Sequence, residues 1–92
     1  MELTTALVAV AEATDVAEAR RRTSELARRL SFDETTVGRA AIAVTEAATN
    51  LLKHAGGGEV FVGTTSGAAT GLQIIVMDRG SGIKNVLASL RD

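Results

Sequence analysis

The chain contains no cysteine, proline, tryptophan or tyrosine, and its 92 residues include two phenylalanines and one histidine. Without cysteine, neither a disulfide framework nor a thiolate metal site can form. A single histidine is too few for a typical zinc site. Because aromatic rings are so scarce, the core has to be built from aliphatic side chains and alanine, which favours close packing of helices on a sheet.

Long hydrophobic runs and a basic N-terminal segment are also lacking. No apolar run approaches the roughly 20 residues that span a bilayer, and the opening Met-Glu-Leu-Thr-Thr lacks the positive charge that begins a signal peptide. The net charge of -1 gives no general attraction to nucleic acid or to a membrane surface. These absences predict a cytoplasmic protein that binds neither.

Hydrophobic periodicity predicts six elements in one domain. Thr14 or Asp15 is expected to cap the first helix and Asp33 the second, and three glycines at 56–58 end the second helix. The order β-α-α-β-β-α predicts an α+β fold of the two-layer α/β sandwich type. The predicted strands span 2–11, 59–65 and 72–79, and the predicted helices span 15–30, 34–55 and 83–90.

The first predicted helix is strongly basic. Glu18 and Glu25 precede Arg22 and Arg29 by four residues, which is the spacing of ion pairs along a helix. This spacing predicts a solvent-exposed face with two internal ion pairs. The alternative is a surface that binds phosphate or a partner protein. The arginines of this helix are Arg20, Arg21, Arg22, Arg28 and Arg29.

The second predicted helix has a polar face on which Glu46, Asn50 and Lys53 fall within about 60° of one another. Asparagine is unfavourable inside a helix by about 0.6 kcal/mol relative to alanine, and its carboxamide oxygen suits magnesium. Glu46 could deprotonate or orient a hydroxyl group, and Lys53 could neutralise phosphate charge. The alternative is an ordinary solvated helix face.

Asp78 closes an alternating apolar row in the third predicted strand, and Gly80 and Gly82 follow it. A carboxylate at the end of such a row is partly buried and needs a hydrogen-bond donor, such as the exocyclic amine of adenine. The two glycines let a backbone approach a ligand closely. The alternative is turn formation, with Asp78 as the capping residue.

Together these residues resemble the nucleotide-binding signature of the GHKL superfamily, the histidine kinase-like ATPases. The resemblance covers essentially the whole chain and implies a fold of the Bergerat type, with ATP and magnesium as cofactors. The two motifs that carry it are Glu46-x-x-x-Asn50-x-x-Lys53-His54, which resembles the N box, and Asp78-x-Gly80-x-Gly82-Ile83, which resembles the first glycine box.

The resemblance also implies a role for each motif. Asn50 would hold magnesium, Glu46 would act as the catalytic base or orienting group, and Asp78 would select adenine. The residues that the resemblance assigns to cofactor binding are Asn50, Lys53, Asp78, Gly80, Gly82 and Ile83.

Within the superfamily, the chain is most similar to bacterial anti-sigma regulatory factors and Rsb-type switch-protein serine/threonine kinases. That similarity implies transfer of the ATP γ-phosphoryl group to a serine or threonine of a STAS-domain protein, in a partner-switching stress response. A sigma factor or a phosphatase would be a further partner. Two other interpretations stay open: a non-catalytic protein-binding module of the same fold, and the catalytic domain of a sensor histidine kinase.

The family pattern continues where this sequence stops, at Asp92. The second glycine-rich box, the ATP lid and the last strands have no counterpart here. We therefore expect residues 1–92 to form a single domain that is incomplete at its C-terminus and lacks part of the phosphate cradle. An open sheet edge would favour a homodimer paired through that edge.

Overall fold

The computed structural model describes residues 5–65, 71–78 and 82–91. Within these residues a four-stranded antiparallel sheet, in the order β1-β2-β3-β4, lies under two helices. This is the α+β, two-layer arrangement that the sequence predicts. The elements are β1 (Thr5–Val10), α1 (Ala13–Arg29), α2 (Glu34–Ala55), β2 (Gly58–Thr65), β3 (Gly71–Asp78) and β4 (Gly82–Arg91).

The core lies between the helices and one face of the sheet. In β1 the burial alternates strictly, so that Ala6, Val8 and Val10 face the helices while the residues between them face away. The helices contribute mostly small and aliphatic side chains, such as Ala19 of α1 and Val44 of α2, both fully buried. The scarcity of aromatic residues therefore yields the close helix-on-sheet packing expected from the composition.

The start of α1 differs from the prediction, which placed the cap at Thr14 or Asp15. The helix begins earlier, with Glu12 as its N-cap residue. Asp15 lies inside the first turn, where its carboxylate accepts hydrogen bonds from the backbone N–H groups of Ala11 at 2.8 Å and Glu12 at 3.0 Å. An acidic side chain three positions after the N-cap can accept hydrogen bonds from free backbone N–H groups at the helix start. Asp15 therefore indicated the first turn of the helix correctly but is not its N-cap residue.

Both ends of α2 agree with the prediction. The Asp33 carboxylate accepts a hydrogen bond of 2.8 Å from the Thr36 backbone N–H, and Gly56 closes the helix in the left-handed conformation, with φ 73°. The hydrogen bond from Thr36 holds the pKa of the Asp33 carboxyl below its ordinary value. The cap therefore stabilises the fold at neutral pH, and this contribution is lost as the pH falls through the lowered pKa.

The corner between α1 and α2 is a Schellman turn built on a serine. Phe32 N–H donates to the Ala27 carbonyl at 3.2 Å and Ser31 N–H donates to the Arg28 carbonyl at 2.9 Å. Ser31 occupies the left-handed position with φ 63°, which glycine adopts without the steric cost of a Cβ. Phe32, the next residue, is buried in the core and fixes the entry to α2.

Ser31→Gly is therefore expected to stabilise the protein by about 1 kcal/mol, measured as the shift of the urea midpoint at constant slope. Ser24→Gly is the matched control, because Ser24 lies inside α1 and the same replacement there should destabilise by about 0.5 kcal/mol. Destabilisation by both replacements would contradict the account of the corner.

The last element was predicted wrongly. Residues 82–91 form β4, paired antiparallel with β3, instead of a helix over 83–90. Periodicity cannot separate a short buried helix from a strand, and the free edge of β3 supplies a full ladder of hydrogen-bonding partners. The register shifts twice, between Ile74 and Ile75 and between Val76 and Met77, so the pairing has local irregularities.

Two further expectations concern the surface. The described part of the sheet has β1 and β4 at its two edges, and pairing of two chains through an open edge stays a prediction. Among the described residues, neither helix is apolar enough over a sufficient length to cross a bilayer.

Candidate nucleotide site

The polar face of α2 lies where the sequence predicts it. Glu46, Asn50 and Lys53 are all exposed, whereas Ala48 and Leu51, which lie between them in sequence, are buried against the sheet. Within the described part of the chain, no hydrogen bond or ion pair engages the side chains of these three residues. A carboxylate, a carboxamide and an ammonium group are therefore presented together on two adjacent turns of one helix.

Asp78 is the last residue of β3 and is half-buried. It continues the helix-facing row of that strand, because Ile74 is 1% exposed and Val76 is 8% exposed at alternate positions before it. Its cross-strand neighbours are Gly58 of β2 and Gly82 of β4. A carboxylate flanked by two glycines leaves the end of the sheet open for a ligand to approach from the helix side.

Gly58 brings the end of α2 against the end of β3. A Cβ atom at this position would lie 2.2 Å from the Met77 carbonyl oxygen, 3.0 Å from the Asp78 Cα and 3.1 Å from the Leu51 Cδ1. The backbone of β2 thus fits closely between the last turns of α2 and the strand that carries Asp78. The end of α2 and Asp78 meet at this point.

Sequence reasoning treated the three glycines 56–58 only as a helix end and missed the packing role of Gly58. One left-handed glycine, Gly56, is enough to close the helix. The two extra glycines were the signal that another constraint acts on this turn. The constraint is the approach of Gly58 to Met77 and Asp78.

Asn50 and Asp78 lie on different sides of the last turns of α2. Leu51, the residue after Asn50, points into the core beside Gly58, so Asn50 points away from the sheet while Asp78 ends the row that faces it. A helix with its side chains is about 10 Å across. A ligand that contacts both residues therefore has to be elongated, extending from the end of the sheet at Asp78 to the exposed side of α2 at Asn50.

A cavity of about 300 Å³ adjoins Asp78 and is lined by Ala9, Gly58, Glu59, Met77 and Asp78. Ala9, Glu59 and Met77 are cross-strand neighbours that alternate with the core-facing residues of their strands, so this cavity lies mainly on the face of the sheet away from the helices. It is therefore not the space through which a ligand would approach Asp78 from the helix side. A larger groove of about 740 Å³ runs between α1 and α2 and is lined by residues such as Arg21, Gly38 and Glu34. None of the predicted site residues lines that groove.

The remaining predicted site residues belong to the segment that resembles the first glycine box. Gly80 lies outside the described residues. Gly82 and Ile83 begin β4, where their backbones pair with Asp78 and Met77 of β3. The motif thus folds back on itself at Asp78, which places the backbone of Gly82 next to the carboxylate-bearing residue.

The oxygen atoms of Asn50 and Glu46 can be compared with the ligands that magnesium, the ion implied by the resemblance, prefers. Within the described residues, no three histidine or acidic side chains cluster closely enough to hold a metal ion by themselves. Magnesium ordinarily keeps several waters and takes only one or two protein oxygens beside the phosphates of a substrate. The exposed carboxamide oxygen of Asn50, with Glu46 one turn away, fits that mode of binding.

The chain was compared with protein families and with individual proteins. The family model described as "Histidine kinase-like ATPase domain" matches residues 9–92, which include β1 in part and every later element. No curated protein matches the chain.

Proposed function

Because the chain belongs to the histidine kinase-like ATPase family, we propose that it binds ATP with magnesium at the end of α2 and acts as a regulatory serine/threonine kinase or anti-sigma factor. Its target would be a STAS-domain protein in a bacterial partner-switching pathway in the cytoplasm. The observation that carries the proposal is the contact at Gly58, which joins the helix bearing Asn50 to the strand bearing Asp78.

In this proposal the elongated ligand is a nucleoside triphosphate. Asp78 accepts a hydrogen bond from the adenine amine, since an ionised carboxylate can only accept. The open backbone beside Gly82 leaves room for the base. The triphosphate then passes the end of α2, where Lys53 offsets its charge and the Asn50 carboxamide oxygen helps to hold magnesium.

The chemical step would transfer the γ-phosphoryl group from ATP to a serine or threonine hydroxyl of the partner, leaving ADP. Glu46 would accept the hydroxyl proton, or orient the hydroxyl group, as the new oxygen–phosphorus bond forms. Bound magnesium would supply charge neutralisation on the phosphates. Positioning and electrostatic stabilisation account for most of the rate of such transfers, and the exposed Glu46 carboxylate, one turn from Asn50, would contribute to positioning the hydroxyl group.

The first experiment is a calorimetric titration of ATP and ADP into the protein, with and without magnesium. Magnesium-dependent binding of ATP is expected. Direct phosphotransfer to a STAS-domain protein would then support the kinase, whereas partner binding that is insensitive to ATP would favour the non-catalytic module. Absence of binding at millimolar nucleotide would contradict the proposed site.

Asn50→Ala is expected to remove the dependence of ATP binding on magnesium without unfolding the protein. Asn50 is exposed, and alanine is the better helix residue by about 0.6 kcal/mol, so thermal stability should stay equal or rise slightly. Thr49→Ala, on the same helix but about 100° around it, is the control and should keep the magnesium effect. A large loss of thermal stability in Asn50→Ala would mean that Asn50 is structural.

A further inference from the structure

Within the described residues β1 forms one edge of the sheet, and its own residues lack the features that protect edge strands. Its six residues, Thr5–Val10, include no charged side chain and no proline, and its register with β2 has no bulge. Leu7, in the middle of the strand, is 55% exposed on the face away from the helices. The outer backbone groups of β1 are therefore suited to pair with an added strand.

One flank of α1 lies above this edge. A groove of about 120 Å³ separates the helix from the start of the strand. Arg22 and Arg29, seven residues apart, lie on the same side of α1, about 90° around the helix from its buried face. Both side chains belong to the groove, so they border the space that an added strand would occupy. The groove is lined by Thr5, Ala6, Arg22, Glu25, Leu26 and Arg29.

The charge of this groove is positive. Glu25 lies 3.2 Å from Arg21, which is outside the groove. Arg22 is 3.6 Å from Glu18. The predicted pair of Glu25 with Arg29 does not form, and within the described residues Arg29 has no ion-pair partner. The groove thus carries one net positive charge. Its glutamate is paired with Arg21 and its Arg22 with Glu18, so Arg29 is the groove arginine whose charge is unmatched within the described residues.

We infer that the β1 edge and the α1 flank bind an extended acidic segment of a partner protein by strand addition. The added strand would run about 4.8 Å outside β1. Acidic side chains at alternate positions, about 7 Å apart, would point toward Arg22 and Arg29, and the residues between them would lie beside Leu7. The backbone supplies the affinity and the arginines select the acidic sequence.

A second copy of the chain fits this edge less well. Residues 5–10 contain no acidic side chain that could face Arg22 or Arg29. Pairing of two β1 edges would also bring the arginine-rich flanks of two α1 helices close together, and like charges in proximity oppose association. Charge complementarity therefore favours an acidic partner segment.

The probe is a short fluorescein-labelled peptide of alternating glutamate and valine, titrated with the protein at low ionic strength and followed by fluorescence anisotropy. We expect binding that a peptide with lysine in place of glutamate does not reproduce. Replacing both groove arginines, Arg22→Ala with Arg29→Ala, should weaken the glutamate peptide about tenfold, because each partly exposed ion pair is worth up to about 1 kcal/mol.

Two controls separate strand addition from general attraction. The double variant Arg20→Ala with Arg39→Ala removes the same charge from exposed sites outside the groove and should change the affinity less than about twofold. A glutamate peptide that is N-methylated at alternate amides, so that it cannot pair with β1, should fail to bind. In hydrogen exchange, the glutamate peptide should protect the amides of Thr5–Val10.

Three results would overturn the inference. The first is an equal loss of affinity for the glutamate peptide in the two double variants. The second is undiminished binding of the N-methylated peptide. The third is self-association of the protein that protects the β1 amides without any peptide. The ATP titration probes a different site, since Asp78 and Asn50 lie outside this groove. Failure of one proposal therefore leaves the other standing.

Discussion

Asp78→Asn is expected to lower the affinity for ATP about thirtyfold and to reduce the preference for ATP over GTP. A hydrogen bond to a charged acceptor contributes about 2 kcal/mol, which corresponds to that factor. Adenine presents an amine donor where guanine presents a carbonyl acceptor. The carboxylate accepts only, whereas a carboxamide can also donate, so the variant should tolerate GTP better than the parent does.

The measurement is a competition titration of ATP and GTP on parent and variant. Glu59→Gln is the matched control, because Glu59 lines the same cavity as Asp78 but occupies the alternate, exposed position of β2. That variant makes the same change from carboxylate to carboxamide and should bind ATP as the parent does. Equal ATP affinity and equal ATP-to-GTP ratios in parent and Asp78→Asn would reject the assignment of Asp78 to adenine.

Gly58→Ala is expected to destabilise the protein by about 3 kcal/mol, a decrease in melting temperature of about 15 °C for a domain of this size. A Cβ at this position would lie 2.2 Å from the Met77 carbonyl oxygen, a backbone atom that can move only with β3. Displacement of β3 would also move Asp78. ATP affinity should therefore fall together with stability.

Alanine substitutions at two other glycines are the controls for this prediction. At Gly38, exposed in the second turn of α2, an added Cβ would meet nothing within 4 Å, so Gly38→Ala should stabilise by about 1 kcal/mol. At Gly56, whose φ is 73°, Gly56→Ala should destabilise the protein by about 1 kcal/mol through backbone strain alone. If Gly58→Ala lowers the free energy of unfolding no more than Gly56→Ala does, the packing between β2 and β3 at Gly58 is too loose to position Asp78.

Much of the fold could be predicted because its signals are local. The bounds of α2 follow from Asp33, a side chain that caps the helix start, and from Gly56, a residue that adopts the left-handed conformation readily. The exposure of Glu46, Asn50 and Lys53 follows from the 100° rotation per residue of a helix with one apolar stripe. The half-buried position of Asp78 follows in the same way from the two-residue period of a strand.

The errors occurred where a local pattern allows more than one outcome. Residues 83–90 have apolar spacings that a helix could use, and the choice of strand rests on the open edge of β3 beside them. Arg29 has the spacing to pair with Glu25, but Arg21 lies closer in the folded helix and takes that carboxylate. A local pattern permits both alternatives in each case and does not rank them.

The sequence by itself determined the composition of the core, the two helices and the family motifs, because helix caps, periodicity and residue type act within a few positions of the chain. Only the tertiary structure decided that β1 and β4 are the sheet edges, that Gly58 joins the end of α2 to Asp78, and that Arg22 and Arg29 overlie an unprotected strand. These juxtapositions join residues far apart in sequence. They are set by close packing between elements, and no single segment identifies the element against which it packs.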